Sequence, residues 1–458
     1  MDESTVALLF LLAMILWQQL TSFTVVQRLL HCCKPLAIVL QWYNLTFLGL
    51  LVLLLRTFYD IVIYDYVGYH FLAEERIEAN MQTICGGADV DCEALKAALR
   101  IPPWLHRISL VAPVCGLLSF LLLALLLRSF VNYNYSMRIM ETATEEWQAT
   151  PAKLTSRFQH VLTIIGMPLV FNVMAMRSLV RIWAVMTGSC WKPDSGVEWA
   201  QIEQLEMSTY TMDLEVALFF QFYGIWKFGL LCTSFLEHSK YMQAEDETAG
   251  RQYKRTLAFT SIQGVYAFVF VGSLRGVFDL VVTWLQETPQ RKDFAEKVEQ
   301  QVLSKVGTIF IFVTLLCMIN MVAVSRVRDI KDHLGNANLK FLGTRLLLLI
   351  AQIQPKVLSA ITVGSPLYEK VRSSADSLHL QARFGINLDD WTFNEHQADL
   401  AHVSLLNVEG IIIALLTICF WQLKEDQKKA LMFEEASSSG GSRRVAAREA
   451  THYQRLDA

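Results

Sequence analysis

From residue 333 the chain reads His333-Leu-Gly-Asn-Ala-Asn-Leu-Lys340-Phe341 and, four residues later, Leu346-Leu-Leu-Leu-Ile-Ala-Gln352-Ile-Gln354-Pro355-Lys356. A polar, basic loop therefore leads into an apolar segment long enough to cross a membrane. The segment also carries Arg345, two glutamines, a proline and a lysine. Polar and ionisable groups are costly in lipid, so they normally face a cavity, an ion pair or a substrate pathway. The stretch predicts a membrane helix with a functional polar face.

Composition extends this prediction to the whole chain. Hydrophobic residues make up 53% of the 458 residues and charged residues only 18%, against about 45–50% and 25% in soluble proteins. The formal net charge of −3 is small and mixed in sign, which argues against a nucleic-acid partner. We therefore expect an all-α, polytopic helical bundle in which membrane lipids are the first partners.

Nine apolar segments are long enough to span a bilayer, which requires about 20 residues each. They are 5–27, 36–62, 106–130, 159–186, 214–236, 256–285, 302–325, 340–364 and 402–423. Lys and Arg are more frequent in the connections 131–158, 237–255 and 326–340, which places the N-terminus on the exoplasmic side and the C-terminus in the cytosol. Residues 426–458 are polar and predict a disordered cytosolic tail. Either the plasma membrane or an endomembrane fits this pattern.

The cysteines show no metal-binding spacing, and we expect neither a metal nor a cofactor. Cys85 and Cys92 bracket a short glycine-containing loop on the predicted outer side and are candidates for a disulfide, with Cys190 as a third possible partner. Cys32 and Cys33 follow the first span on the predicted inner side. They are either palmitoylated or two unmodified interfacial thiols.

Two pairs of charges lie one helical turn apart. Arg177 and Arg181 follow Pro168 on the fourth span and share one face, which would attract an anion; alternatively they pair with Asp213 and Glu215 or reach the head groups. On the sixth span the same spacing separates two opposite charges, which favours a structural ion pair between Arg275 and Asp279.

Further polar residues lie on the fifth, eighth and ninth spans. Glu215, Gln221 and Lys227 alternate with aromatic residues, a combination suited to an amphipathic ligand, although ordinary packing gives similar patterns. Arg345, Gln352 and Lys356 fall on one stripe of the eighth span, beside Gln354, and Pro355 predicts a kink there. Glu409 on the last span is available to balance one of the arginines. The candidate substrate-binding residues are therefore Arg177, Arg181, Glu215, Gln221, Lys227, Arg345, Gln352, Gln354, Lys356 and Glu409.

No catalytic motif supports an enzyme. The histidines form no His-x-x-x-His pair, and the chain contains neither Gly-x-Ser-x-Gly nor a phosphate-binding glycine loop.

The order of several short motifs resembles the organic solute transporter subunit alpha (Ost-alpha) family and the related transmembrane protein 184 family. The resemblance rests on the His333-Leu-Gly loop, the Lys340-Phe341 helix entry and Gln354-Pro355. It is supported by Met167-Pro168, Glu215, Gln263-Gly264 and Leu405-Leu-Asn-Val-Glu409. It covers about 106–425 and implies a seven-helix core, which leaves 1–105 as an N-terminal two-helix hairpin with its outer loop.

The resemblance implies a transporter that moves amphipathic organic anions, such as bile acids, steroids or lipids, by facilitated diffusion. It also implies a single-span beta-type subunit as a partner, although the additional hairpin puts that requirement in doubt, and a homodimer is an alternative. The competing functions are a non-transporting seven-helix receptor or trafficking scaffold, whose polar residues only join helices, and a lipid scramblase.

Overall fold

A computed structural model of the chain describes residues 42–60, 73–87, 101–144, 156–190, 198–237, 249–286, 304–327, 334–360 and 393–422, with a few single positions between them. These residues are almost entirely helical and contain no strand, only one isolated bridge between Thr362 and Phe393. The helices in chain order are α1 (Trp42–Tyr59), α2 (Ala73–Gly87), α3 (Pro103–Thr144), α4 (Ser156–Met186), α5 (Trp199–Glu237), α6 (Ala249–Gln286), α7 (Ser304–Ser325), α8 (Ala337–Ala360) and α9 (Glu395–Phe420).

Six of the described helices, α3 to α7 and α9, are long and apolar enough to cross a membrane, and α8 is a seventh if its two bent parts count as one span. This supports the prediction of a multi-pass, all-α membrane protein. The predicted span 5–27 and the tail 426–458 lie outside the described residues. Helix α1, Trp42–Tyr59, falls within the predicted span 36–62.

The predicted fifth span, 214–236, lies within α5, but the helix itself begins earlier, at Trp199. Its first four turns carry Glu203, Glu206 and Asp213, whose charges make the segment look like a loop in the sequence. In the structure these side chains bind groups on α4 and α9, so the helix extends well beyond its apolar part. In the sequence these charges suggest a loop, whereas in the structure they belong to a helix and have partners on α4 and α9.

Helix α4 is the centre of the bundle. In its most apolar 18-residue window 94% of the residues are buried inside the protein, against 20% in the corresponding window of α7. It packs against α1, α3, α5, α8 and α9. Helices α6 and α7 pack against each other at one side, and α7 leaves large apolar side chains such as Phe312 and Ile319 exposed. A helix with this pattern is suited to contact lipid.

A polar seam without charge joins α3, α4 and α9. The amide of Asn172 on α4 donates to Ser119 Oγ on α3 at 2.5 Å, and that hydroxyl donates to the Gly410 carbonyl of α9 at 2.9 Å. A methyl group at Gly410 would lie 2.8 Å from Asn172 Oδ1, and one at Gly116 would lie 2.7 Å from Asn407 Oδ1. Small residues let these helices approach closely, and the polar side chains join them, as is common between membrane helices.

Helix α1 packs on this bundle through one face. Leu50, Leu54 and Thr57 are buried, and the ring of Phe47 stacks on that of Phe120 in α3 with centroids 6.1 Å apart. Helix α2 contributes Met81 and Ile84 to a second apolar cluster, which also contains Trp183 near the end of α4. The part of the N-terminal hairpin that the structure describes is therefore attached to the core.

The structure tests only part of the cysteine predictions. Cys85 at the end of α2 is disulfide-bonded. Cys92, its predicted partner, lies outside the described residues, as do Cys32 and Cys33, so the pairing and the palmitoylation stay predictions. Among the described residues no group of three or more His, Cys, Asp or Glu is arranged to hold a metal ion.

Helix α8 bends earlier than its sequence predicts. A bend of 40° separates Ala337–Gly343 from Arg345–Leu358, whereas the helix continues through Pro355 to Ala360. Helix α4 likewise continues through Pro168. The bend lies immediately before Arg345, so the change of direction and the buried charge occur at the same turn.

We expect Gly410→Ala to destabilise the protein, because its new methyl group would press on Asn172 in the seam. Overpacking of this kind costs about 1–3 kcal/mol. The control is Gly307→Ala, where nothing lies within 4 Å of the added carbon and helix propensity favours Ala by about 0.5–1 kcal/mol. Thermal unfolding of the purified protein measures both variants. Equal melting temperatures would contradict the close packing of α9 on α4.

Candidate functional site

Among the described residues, charged and polar side chains gather at one end of the bundle and also inside it. We call the end where α4 finishes and α5 and α9 begin the upper end, and the opposite end the lower end. At the upper end α5 presents Glu203, Glu206, Tyr210 and Asp213, spaced by three, four and three residues. This spacing places the four side chains on one stripe of the helix. The stripe contacts α4 on one side and α9 on the other.

Both arginines predicted to bind an anion on α4 have carboxylate partners on this stripe. Arg177 Nε lies 3.4 Å from Asp213 Oδ1, and the two side chains are 5% and 0% exposed. Arg181 Nη1 lies 3.2 Å from Glu206 Oε2 in a more accessible position. The pairing that the sequence left as an alternative is therefore present for Arg177, with Asp213. A carboxylate beside each arginine neutralises much of its attraction for an anion.

Helix α9 completes the upper-end network. His396 Nε2 lies 2.7 Å from Glu203 Oε1, and the hydroxyl of Tyr210 lies 3.4 Å from Asp399 Oδ1. One turn further along, His402 Nδ1 lies 2.9 Å from Gln354 Oε1 of α8. Polar contacts therefore link α4, α5, α8 and α9 around one end of the bundle. Polar contacts of this kind between helices help to hold them in register.

Arg345 lies in a different environment, deep among α6, α7 and α8. Its side chain is completely buried. Nη2 donates a hydrogen bond to the Thr314 carbonyl at 3.1 Å, and the guanidinium carbon lies 4.4 Å from the ring centre of Phe268 and 5.9 Å from that of Phe341. The thiol of Cys317 is also adjacent. Aromatic faces and one carbonyl thus surround this cation, and no carboxylate among the described residues forms an ion pair with it.

Two donors of Arg345 remain unused. Nε and Nη1 are buried and have no hydrogen-bond partner among the described residues. By contrast, buried Arg157 near the lower end donates to both Ser234 Oγ and the Ser234 carbonyl. Arg345 is therefore the buried arginine whose surroundings most clearly lack an anion.

Two further cations lie near the aromatic groups at the lower half of the bundle. Lys227 is 5% exposed, with its ammonium 5.1 Å from the ring centre of Tyr223 and 5.0 Å from that of Trp226. Lys340 donates to the Leu334 carbonyl and lies over the ring of Trp421. The core on this side thus combines positive charge with large apolar surfaces.

The remaining predicted residues do not form one site. Gln352 is half-buried and Lys356 is exposed, so the stripe predicted on α8 does not share one environment with Arg345. Gln221 is buried with an unpartnered Nε2 among the described residues, while Glu215 and Glu409 are half-buried. Arg275 Nε lies 3.4 Å from Asp279 Oδ2, as expected for a structural pair.

Sequence reasoning missed Glu203, Glu206, Tyr210, His396 and Asp399. The three residues on α5 do have a signal in the sequence. It is their regular spacing, which becomes visible once the helix is extended back to residue 199. The two residues on α9 have no comparable signal, because only packing brings them to α5.

Comparison with models of protein families, with curated proteins and with solved structures found no match. The function is therefore inferred from the geometry of the buried arginines.

Asp213→Asn should destabilise the protein strongly, because it leaves Arg177 buried without its counter-ion. Breaking a buried pair from one side costs about 3–5 kcal/mol. Glu206→Gln is the matched control, since its pair with Arg181 is partly exposed and is expected to contribute about 1 kcal/mol or less. The melting temperatures of the purified variants distinguish the two pairs. Equal losses would show that burial does not decide the strength of these ion pairs.

Proposed function

We propose that this multi-pass membrane protein transports an amphipathic organic anion, with the buried guanidinium of Arg345 as the group that receives its negatively charged head. The observation that carries the proposal is the complete burial of Arg345 together with two nitrogens, Nε and Nη1, that have no hydrogen-bond partner among the described residues. A bound carboxylate or sulfate would accept a hydrogen bond from one of these nitrogens and supply the missing charge. Residues with such unmet requirements inside a membrane commonly mark a substrate pathway.

The surroundings of Arg345 suit the apolar body of the same ligand. Phe222, Phe268 and Phe310 form a connected group of rings, with centroids 5.3–5.9 Å apart. Phe228 and Phe341 extend it towards the lower end, at 5.5 Å. Ligand sites typically combine apolar and aromatic walls with a few polar groups that fix orientation. A bile-acid-like, steroid or lipid anion meets both requirements.

Lys227 and Lys340 suggest that the pathway runs from Arg345 towards the lower end of the bundle. Both are buried cations in the lower half of the bundle, and neither forms an ion pair with a carboxylate among the described residues. In the orientation predicted from the basic connections, the lower end faces the cytosol. Positive charges along this half would guide an anion between Arg345 and the cytosolic face without coupling to an ion or to ATP, as facilitated diffusion requires.

The resemblance to the Ost-alpha family is consistent with this function, and membership of that family remains a proposal. Its Lys340-Phe341 entry lies in α8 ahead of Arg345, so this part of the motif and the buried cation belong to one helix. A single-span beta-type subunit and a homodimer are both compatible with the lipid-facing helices.

Arg345→Gln should lower the uptake of a labelled steroid sulfate into proteoliposomes by about 10- to 100-fold, since hydrogen bonds to a charged group contribute about 1.5–3 kcal/mol. The matched control is Arg326→Gln, which removes the same charge from an exposed position at the end of α7. The control should retain wild-type uptake. Unchanged uptake by folded Arg345→Gln would overturn the proposal.

The same reconstitution separates the alternatives. Binding of the steroid sulfate without flux would favour a receptor or scaffold, in which Arg345 only joins α7 and α8 through the Thr314 carbonyl. Movement of a labelled phospholipid between leaflets, without steroid uptake, would favour a scramblase. Arg345→Lys refines the result, because lysine retains the charge but loses the planar fork of donors.

A further inference from the structure

Thr314 on α7 lies beside the buried guanidinium of Arg345. We infer that the hydroxyl of Thr314 is a further donor to the substrate and makes the site select an organic sulfate over an organic carboxylate. The inference rests on the proposed function, because it concerns the same site. It adds the chemical class of the head group, which the charge of Arg345 does not decide by itself, since arginine pairs with either anion.

Helix α7 turns one stripe of side chains towards the protein interior, and Thr314 lies on it. Phe310, Cys317, Met321 and Val324 are buried, and with Thr314 they follow one another at alternating spacings of four and three residues. This spacing keeps all five positions on one face of a helix. Thr314 and Cys317 thus bring a hydroxyl and a thiol to a stripe that is otherwise apolar.

The backbone of Thr314 already contacts the arginine. Nη2 of Arg345 donates to the Thr314 carbonyl at 3.1 Å, and the thiol of Cys317, one turn further along α7, is also adjacent. In a planar guanidinium Nη2 shares one edge with Nε and another with Nη1. An anion bound to either of the two unpartnered nitrogens therefore lies next to the nitrogen that holds Thr314.

The hydroxyl of Thr314 has no partner of its own. Its Oγ1 is buried and forms no hydrogen bond among the described residues. A helical threonine commonly donates to the carbonyl one turn earlier, as Thr163 does to Gln159 and Thr209 to Leu205. Thr314 does not, so its proton is available to a ligand in the site.

A bond between Thr314 and Arg345 would not remove the need for an anion. A hydroxyl accepts as well as donates, so after a small rotation Oγ1 can accept from Arg345. The hydroxyl is neutral, however, and it leaves the buried positive charge unbalanced. Its proton would also still require an acceptor. An oxygen of a bound anion meets both requirements at once.

The number of oxygens in the head group distinguishes sulfate from carboxylate. A carboxylate has two oxygens in one plane, whereas a sulfate ester has three terminal oxygens in a tetrahedral arrangement. The third oxygen lets a sulfate contact α7 and α8 together, with Arg345 on one side and Thr314 on another. A site with a buried polar group that the ligand leaves unpaired binds that ligand less tightly. The carboxylate is therefore the poorer substrate.

The test compares the uptake of one labelled steroid as its 3-sulfate and as its 3-carboxylate, by the full chain in proteoliposomes. We expect wild type to favour the sulfate at least about tenfold, the effect of one hydrogen bond to a charged group. Thr314→Val should lower this ratio to near unity, and Thr314→Ser should restore it. Thr260→Val is the matched control, because its exposed hydroxyl bonds only to carbonyls of its own helix.

The melting temperature separates this role from a structural one. Without ligand, Thr314→Val should melt no lower than wild type, since it removes a buried hydroxyl that has no partner among the described residues. The steroid sulfate should then raise the melting temperature of wild type more than that of Thr314→Val. A lower melting temperature of the unliganded variant, with no difference in the response to sulfate, would contradict the inference.

The uptake ratio also separates this inference from the proposed transport. If Arg345→Gln abolishes uptake but Thr314→Val leaves the ratio unchanged, the selectivity of Thr314 is overturned and the transport function stands. A lost preference that Thr314→Ser does not restore overturns the selectivity as well, because packing and not the hydroxyl would then be its cause. Uptake of neither anion overturns both.

Discussion

Helix α4 is enclosed by other helices along almost its whole length, and this burial constrains the rest of the bundle. Buried polar side chains need hydrogen-bond partners, and several of those on α4 find them on neighbouring helices. Asn172 binds Ser119 of α3, Arg177 binds Asp213 of α5, and Ser178 donates to the Tyr210 carbonyl. Each contact fixes the rotation of one helix around α4. The neighbours are thus placed by a few directional contacts as well as by apolar packing.

The two groups of charge in the protein differ in how completely the chain satisfies them. At the upper end α5 supplies a carboxylate to each arginine of α4, and α9 adds His396 and Asp399 to the same network. Around Arg345 the chain supplies aromatic faces and a single carbonyl. Charges balanced within the chain explain helix packing, whereas a charge that the chain leaves unbalanced indicates a ligand. For this reason Arg345, and not Arg177 or Arg181, is the residue that we propose to bind the head of the substrate.

Much of the architecture is predictable because apolar length alone decides whether a segment can cross a membrane. The spans from α3 to α9 agree with the predicted segments, and the tendency of Arg275 and Asp279 to pair follows from a spacing of four residues. The start of α5 was not predictable in this way, because its first turns are polar and carry Glu203, Glu206 and Asp213, so hydropathy does not mark them as part of the span. The bend before Arg345 also has no local signal as strong as Pro355.

The sequence by itself determined the all-helical class, the approximate spans and the residue types that do not belong in lipid, because hydropathy and helical periodicity are local properties. Only the tertiary structure decided which of those residues are neutralised. Arg177 and Arg345 look alike in the sequence, since each is an arginine within an apolar helix. Asp213 lies beside one of them and Phe268 beside the other. That difference arises from contacts between helices far apart in the chain, which no local pattern records.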